Sequence, residues 1–255
     1  MAPIRLAILE ADTPQPETAA RYGHYTGLFT SLLAAATHPS PVATHFTISR
    51  HHIVHDTSAY PALEDIDAIL ITGSKHSAYL HDEWIVALAE YTRKALDTGR
   101  IRVVGICFGH QIVGRALGAE VGKSDKGWEV AVTDVDLSEE GKKLFGLEKM
   151  RDVDEKSVTQ RIQQMHRDEV RSFPPDAVPL GSTELCPVQA MYAPKRYISV
   201  QGHPEFTEDI VREISERRHG DGVFSDELYE DAMKRVGNEH DGVTIAKAIV
   251  RFLEE

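Results

Sequence analysis

Cys107 lies in the stretch VVGICFGHQIVGRALG, residues 103–118, between an apolar run and a helical pattern, with Gly105 and Gly109 on either side. It is one of only two cysteines in the chain. A side chain on a tight strand-to-helix turn is lifted clear of the sheet, and the first N–H groups of the new helix are free beside it. Such groups stabilise a thiolate and can hold the oxyanion of an acyl-transfer intermediate. The stretch therefore indicates a cysteine nucleophile, with a small buried cysteine as the alternative.

A base for such a thiol is offered by GHPEF at residues 202–206. His203 can accept the thiol proton and return it to a leaving amine. Pro204 favours extended backbone at His203, so that Glu205, two residues on, points to the same side. Glu205 can then hold the imidazole tautomer and stabilise its charged form. Taken alone, the H-x-E pattern has little specificity, and a surface turn with a chance His and Glu is the alternative.

The first half of the chain predicts the elements that position these residues. Short apolar runs at 4–9, 67–72 and 101–106 are typical of buried strands, and helical spacing appears over 22–36 and 84–98. This alternation predicts βαβ units and a parallel sheet, in which ligands bind beyond the carboxyl ends of the strands.

Gly73, Cys107 and His203 all fall at such strand ends. Gly73 follows the run at 67–72, Cys107 follows the run at 101–106, and His203 follows a strand pattern at 197–201. We therefore expect the three to meet at one edge of the sheet.

The second half of the chain shows a different pattern. Residues 129–137 alternate apolar and polar side chains, and 188–192 with 197–201 resemble a pair of antiparallel strands. A short helix is predicted at 138–146, a loose charged segment at 151–157, and helices at 207–218, about 224–236 and 243–254.

These patterns together predict an α/β fold with a mostly parallel twisted central sheet and helices on both faces. A small antiparallel addition is expected from 129–200, and the C-terminus should be helical. We expect a single domain over 1–255, with a core of about 4–206 and a helical extension of about 207–255.

Composition excludes several classes of protein. The formal net charge of −12 argues against binding to nucleic acid, which needs clustered Lys and Arg. Two cysteines form no disulfide framework or zinc cluster, and the loop histidines His51, His52 and His55 are expected to be ordinary surface residues. No apolar stretch reaches the roughly 18 residues of a membrane span, and the N-terminal run is too short for a signal peptide. We expect a cytoplasmic protein without metal, cofactor or membrane contact, and a nuclear pool remains open.

Three motifs together resemble the class I, or triad, glutamine amidotransferases: GICFGHQ at the turn, GHPEF downstream and GSKHSAY upstream. TGSKHSAY with the following Trp84, the KGWEV segment and the terminal IAKAIVRFL are similar to a stand-alone branch that looks like the amidotransferase domain of GMP synthase. Plant γ-glutamyl peptidases and fungal proteins of unsettled function belong to this branch. The resemblance runs from residue 4 to at least 206 and implies a flavodoxin-like, class I amidotransferase fold.

The resemblance also implies roles for single residues. Cys107 would be the nucleophile, His203 the base and Glu205 the residue that orients the base. Backbone N–H groups would form the oxyanion hole, and the residues that match its position are Gly73, Ser74 and Phe108.

Substrate contacts are implied for Gln111 and His166. Gln111 matches the position that contacts the polar end of the glutamine substrate, and His166, in QMHRDEV, matches a loop that often reads HGD. Arg167 replaces that glycine, and Ser74-Lys75 departs from the more familiar GGP, so we expect the rim of the pocket to differ from that of relatives.

Three functions remain open at this point. The first is a hydrolase that cleaves the γ-glutamyl amide of glutamine, or of another small γ-glutamyl compound such as a peptide, through a thioester. The second is a glutaminase subunit that delivers ammonia to a separate synthase or acceptor chain, since the chain lacks a second domain and a phosphate-binding G-x-x-x-x-G-K-[ST] loop. The third is a silent regulatory protein, which the intact Cys107, His203 and Glu205 argue against.

Overall fold

The computed structural model describes residues 2–147 and 159–255, so that the charged segment expected at 151–157 lies outside the described residues. The strands are β1 (Ile4–Glu10), β2 (Phe46–His52), β3 (Ala68–Ile71), β4 (Arg102–Ile106), β5 (Val121–Lys123), β6 (Glu129–Leu137), β7 (Thr159–His166), β8 (Asp168–Val170), β9 (Val178–Ser182), β10 (Ala190–Ala193) and β11 (Tyr197–Val200). The helices are α1 (Pro16–Tyr22), α2 (Tyr25–Thr37), α3 (Val42–His45), α4 (Glu83–Asp97), α5 (Phe108–Ala116), α6 (Glu139–Phe145), α7 (Glu208–Gly220), α8 (Asp226–Arg235) and α9 (Gly242–Glu254).

One large sheet organises the molecule, with the strand order β2-β1-β3-β4-β11-β10-β9-β6-β7. The pairs from β2 to β11 are parallel, and the pairs from β11 to β7 are antiparallel. The strands β5 and β8 form a separate antiparallel pair. The prediction of a mostly parallel sheet with an antiparallel addition from 129–200 is confirmed, and the addition extends the edge of the same sheet.

The inner parallel strands β1, β3 and β4 are buried on both faces along most of their length, which is why their sequences are nearly continuous apolar runs. In β1, Leu6 and Ile8 belong to the apolar cluster on one face, whereas Ala7 and Leu9 belong to the cluster on the other. The helices α2 and α9 contribute to the first cluster, and α4 and α5 contribute to the second. Helices on both faces of the sheet are therefore confirmed.

The C-terminal helices α7, α8 and α9 fall close to their predicted positions. Ile249 and Phe252 of α9 join the same apolar cluster as Leu6 and Ile8 of the first strand. Phe252 is fully buried, and burial of such a side chain contributes about 1.5–3 kcal/mol. The last helix is thus part of the packing of the sheet.

The Pro-rich segment after β1 contains the short helix α1, because Pro16 occupies the first turn, where its missing N–H costs nothing. One local prediction is wrong. His51 and His52 belong to the end of β2 and only His55 lies in the loop beyond it. Among residues 2–147 and 159–255, no helix is long and apolar enough to cross a membrane.

Candidate active site

Cys107 sits on the sharp turn between β4 and α5, with backbone angles φ 52° and ψ −102°. A positive φ at a non-glycine residue costs about 1–3 kcal/mol and is found most often at functional sites. The two flanking glycines let the turn close. A Cβ on Gly105 would lie 2.6 Å from the carbonyl oxygen of Gly109, and a Cβ on Gly109 would lie 2.2 Å from that of Ile71.

His203 and Glu205 form a buried pair beyond the end of β11. The distance between His203 Nδ1 and Glu205 Oε1 is 2.8 Å, and both side chains are nearly inaccessible. The His203 side chain also lies beside Cys107, close enough for the two groups to interact electrostatically. The structure therefore brings together the three residues singled out at 107, 203 and 205.

The antiparallel half of the sheet holds His203 in place. The backbone N–H of His203 donates to the carbonyl oxygen of Gln163 in β7 at 2.8 Å. The Gln163 side chain donates in turn to the carbonyl oxygen of Val236 at 2.9 Å. The imidazole ring stacks on Phe206 with centroids 3.9 Å apart and 4° between the planes. Backbone and ring are thus both constrained.

The charge of His203 is set by its neighbours. Burial by itself lowers the pKa of His203, but the negative charges of Glu205 and Cys107, with hydrogen bonds to both, raise it to about 10. At neutral pH the imidazole of His203 is therefore protonated. A protonated imidazole next to a thiolate can both stabilise the nucleophile and donate a proton to a leaving amine.

Free backbone donors lie around this pair. Phe108 is the first residue of α5, so its N–H has no partner within the helix. The N–H groups of Gly73 and Ser74 donate no hydrogen bond within the described part of the chain. The loop at 73–76 is held at the end of β1, because Asp12 Oδ2 accepts the N–H of Lys75 at 2.7 Å. Donors at 73, 74 and 108 are what an oxyanion would need.

Two neighbouring cavities with shared lining residues border the candidate nucleophile and base. The first, of about 270 Å³, has Cys107 in its wall, and the second, of about 570 Å³, has His203 in its wall. Ser74, Trp128 and Arg218 line both. A compound bound across the boundary would present one part to the thiol side and another part to the imidazole side.

Gln111 and His166 both line the first cavity. The Gln111 Nε2 group donates to the carbonyl oxygen of Asp168 at 2.9 Å and to Gln201 Oε1 at 3.1 Å. His166 Nδ1 lies 3.1 Å from the same Asp168 carbonyl oxygen, and its Nε2 lies 3.0 Å from Glu129 Oε2. Both side chains therefore brace the wall, and direct contact with a substrate stays a prediction.

Arg218 of α7 is a candidate that the sequence patterns did not reveal. Its guanidinium lies 4.9 Å from the centre of the Trp128 ring. Burial lowers the pKa of Arg218, while the nearby acidic groups of Cys107, Tyr25 and Asp12 oppose that effect. Arg218 lies on α7, the helix that follows GHPEF, and the fold brings its guanidinium close to Cys107. In the sequence, nothing except its position in that helix distinguishes Arg218 from other arginines.

One group of described residues has the atoms to hold a metal ion. The ligand atoms of Glu129, His166 and Cys186 lie within 4.8 Å of one another, and all three residues are buried. Glu129 already accepts hydrogen bonds from Thr183 and Gln189, both at 2.7 Å, and faces His166. The carboxylate is therefore satisfied by protein groups, and a function without metal or cofactor stays a prediction.

Gly73→Ala should damage the site by displacing the base. A Cβ at Gly73 would lie 2.6 Å from His203 Cε1. The imidazole cannot easily retreat, because Glu205 and Phe206 fix it from two directions. Misplacement of a reacting group by about 1 Å can cost roughly 10²-fold, so we expect kcat for glutamate release to fall by about that factor.

Gly220→Ala is the matched control for this substitution. Gly220 ends α7, and a Cβ there would meet no atom within 4 Å. Its turnover should equal that of the wild type, and both variants should unfold at nearly the wild-type temperature. Wild-type turnover in the Gly73→Ala protein would show that this loop does not border the reacting groups.

Comparisons with known proteins place the chain among amidotransferases. The model of the family described as glutamine amidotransferase class-I matches residues 36–213. A glutamine amidotransferase-like protein of Schizosaccharomyces pombe is 37% identical over 254 residues, which cover 98% of each chain. Gamma-glutamyl peptidase 3 of Arabidopsis thaliana is 36% identical over 155 residues, or 61% of each chain. A solved glutamine amidotransferase of Thermotoga maritima shares the fold, with a TM-score of 0.69, 16% identity and 99% of each chain covered.

Proposed function

Because the chain belongs to the glutamine amidotransferase class-I family, we propose that it is a cysteine hydrolase of γ-glutamyl amides. It would cleave the amide of glutamine or of a γ-glutamyl peptide through a thioester on Cys107. The observation that carries this proposal is the buried His203–Glu205 pair, with 2.8 Å between Nδ1 and Oε1, which lies beside Cys107. A cysteine on a strained turn with such a pair has what acyl transfer needs.

The first half of the proposed reaction forms the thioester. The Cys107 thiolate attacks the γ-carbonyl carbon, and the electron pair of the C=O bond moves to oxygen. N–H groups of Phe108 and of the loop at Gly73 and Ser74 stabilise this oxyanion. The C–N bond then breaks as His203 donates its proton to the leaving nitrogen, so that ammonia or an amine departs.

The second half releases glutamate. His203, now neutral, accepts a proton from a water molecule, whose oxygen attacks the thioester carbonyl. The C–S bond breaks, the thiolate of Cys107 returns and glutamate leaves. Glu205 stabilises the imidazolium at the start and end of the cycle and keeps the ring in one tautomer.

The cavity on the side of His203 favours a leaving group larger than ammonia. It measures about 570 Å³, whereas one water-sized molecule occupies about 30 Å³. Its walls include the apolar side chains of Phe206 and Ile214 and charged groups of both signs: Asp12, Lys75, Arg217, Arg218 and Asp221. An amino acid or short peptide, which carries polar and charged groups beside apolar ones, would suit such a chamber. We therefore favour a γ-glutamyl peptide over free glutamine.

The proposal is tested by incubating the purified chain alone with glutamine and with γ-glutamyl dipeptides while glutamate release is measured. Turnover of the dipeptides by the chain alone supports the hydrolase. Turnover only after addition of cell extract would instead support the second reading, a glutaminase subunit that serves a separate synthase. No release under either condition would overturn both and leave the regulatory protein.

A further inference from the structure

The first cavity is cationic in a protein that is strongly acidic. The chain carries a formal net charge of −12. Yet among the described residues that line this cavity there is a single carboxylate, that of Asp168, and the permanent cations there are Lys75, Lys123, Arg167 and Arg218. A local surplus of positive charge against the overall sign of the molecule indicates a site for an anion.

Two of these cations have neither an ion-pair partner nor an aromatic partner among the described residues, whereas Arg218 lies over the Trp128 ring. Lys75 is paired with Asp12 at 3.1 Å. Lys123 and Arg167 form no ion pair within the described part of the chain. Arg167 is half-buried, and its Nε is fully buried without a hydrogen-bond acceptor among those residues. A buried guanidinium N–H without an acceptor is costly, and an anion bound at the other nitrogens of the same guanidinium would offset part of that cost.

The position of the two cations decides which part of a substrate they would meet. Cys107 opens to the first cavity and His203 to the second. The leaving nitrogen takes its proton from His203, so the leaving group belongs in the second cavity and the acyl group in the first. Lys123 and Arg167 line only the first cavity and thus stand on the acyl side.

A γ-glutamyl group brings one ammonium and one carboxylate at its α-carbon to that side. Asp168 lies within electrostatic reach of Lys123 and Arg167, so that two cations face one protein carboxylate. A second carboxylate, supplied by the ligand, would balance the charge of the two cations. The planar Arg fork can donate two parallel N–H bonds to a carboxylate, and the Lys ammonium adds a point charge.

We propose that Lys123 and Arg167 form a carboxylate subsite that binds the α-carboxylate of the γ-glutamyl group. The assignment rests on the proposed function, and it makes a free α-carboxylate a condition for efficient cleavage. Arg218, which lines both cavities, is left for the leaving group.

The activity experiment compares two fluorogenic amides with the same leaving amine: γ-glutamyl-7-amido-4-methylcoumarin and its α-carboxamide analogue. The wild type should prefer the free acid in kcat/KM by about 10- to 100-fold, the value of a charged hydrogen bond. Arg167→Gln and Lys123→Gln should each reduce this preference about 10-fold or more. Arg93→Gln, which removes an equal charge from exposed α4, should keep it.

A binding experiment separates failure of the subsite from failure of the proposed function. In the Cys107→Ala background, L-glutamine and L-glutamine α-amide are titrated by calorimetry, and no hydrolysis is needed. Glutamine should bind more tightly than its amide, and Arg167→Gln should remove the difference. Equal affinity for acid and amide, or a difference that survives both Arg167→Gln and Lys123→Gln, would overturn the subsite whether or not the wild type is a hydrolase. If neither coumarin substrate is cleaved while glutamine still binds more tightly than its α-amide, the hydrolase proposal alone is overturned.

Discussion

Cys107→Ala is expected to reduce glutamate release from γ-glutamyl amides to background, a loss on the order of 10⁶ in kcat. The substitution removes the atom that forms the thioester, and water cannot reach the same carbonyl with comparable geometry. The folded structure should persist, because only a sulfur is lost from a side chain that is 5% exposed at a cavity wall. Ligand affinity should also persist, since the groups that bind the substrate are unchanged.

Cys186→Ala is the matched control for this experiment. Cys186 is the other cysteine, it is 1% exposed, and it lies outside both cavities. Burial, reinforced by the negative charge of Glu129, raises the pKa of Cys186 and keeps it a thiol. Its variant should turn over normally, and iodoacetamide should label Cys107 alone. Near-normal turnover in Cys107→Ala, or preferential labelling of Cys186, would contradict the assignment.

His203→Asn should be nearly as severe as the loss of Cys107, because acid, base and nucleophile act as one unit and their losses do not add. Glu205→Gln should cost less, on the order of 10²–10⁴ in kcat, because the residue acts through the imidazole. Steady-state glutamate release from the two variants and from the double variant tests this ranking. A Glu205→Gln protein with unchanged kcat would remove this residue from the mechanism.

The pH profile gives this second prediction a further readout. Against the effect of burial, Glu205 and Cys107 raise the pKa of His203 to about 10. The protonated imidazole is the form that donates to the leaving amine, so activity should be lost as pH rises through that value. Glu205→Gln removes a negative charge that stabilises the imidazolium, so the alkaline limb of kcat/KM should move to lower pH. A limb that stays in place would mean that Glu205 does not set the charge of the base.

The parallel half of the fold could be predicted because each of its strands shows its burial in its own short stretch of sequence. Strands such as 4–9 and 101–106 are buried on both faces, and uniform burial requires uniform apolarity. The turn at Cys107 was predictable for the same reason, since the glycines at 105 and 109 stand next to the residue they serve.

The strand β7 escaped prediction. Its sequence, TQRIQQMH, buries Gln163, Gln164 and His166 together with apolar side chains. These polar groups are tolerated because they bond to distant groups, such as the carbonyl oxygen of Val236 for Gln163 and the side chain of Gln189 for Gln164. Partners so far away in sequence leave no periodic pattern.

The sequence by itself therefore singled out Cys107, His203 and Glu205, the residues that we propose carry the chemistry, and the strand ends on which they lie, because motif and backbone turn are contiguous. Only the tertiary structure decided what surrounds them. It seated Gly73 against the imidazole and turned Arg218 from α7 back towards the cysteine. It also placed Lys123 and Arg167 in the wall of the first cavity, where neither forms an ion pair with another described residue. Electrostatics and close packing act through space between segments far apart in the chain, so these features exist only once the sheet has assembled.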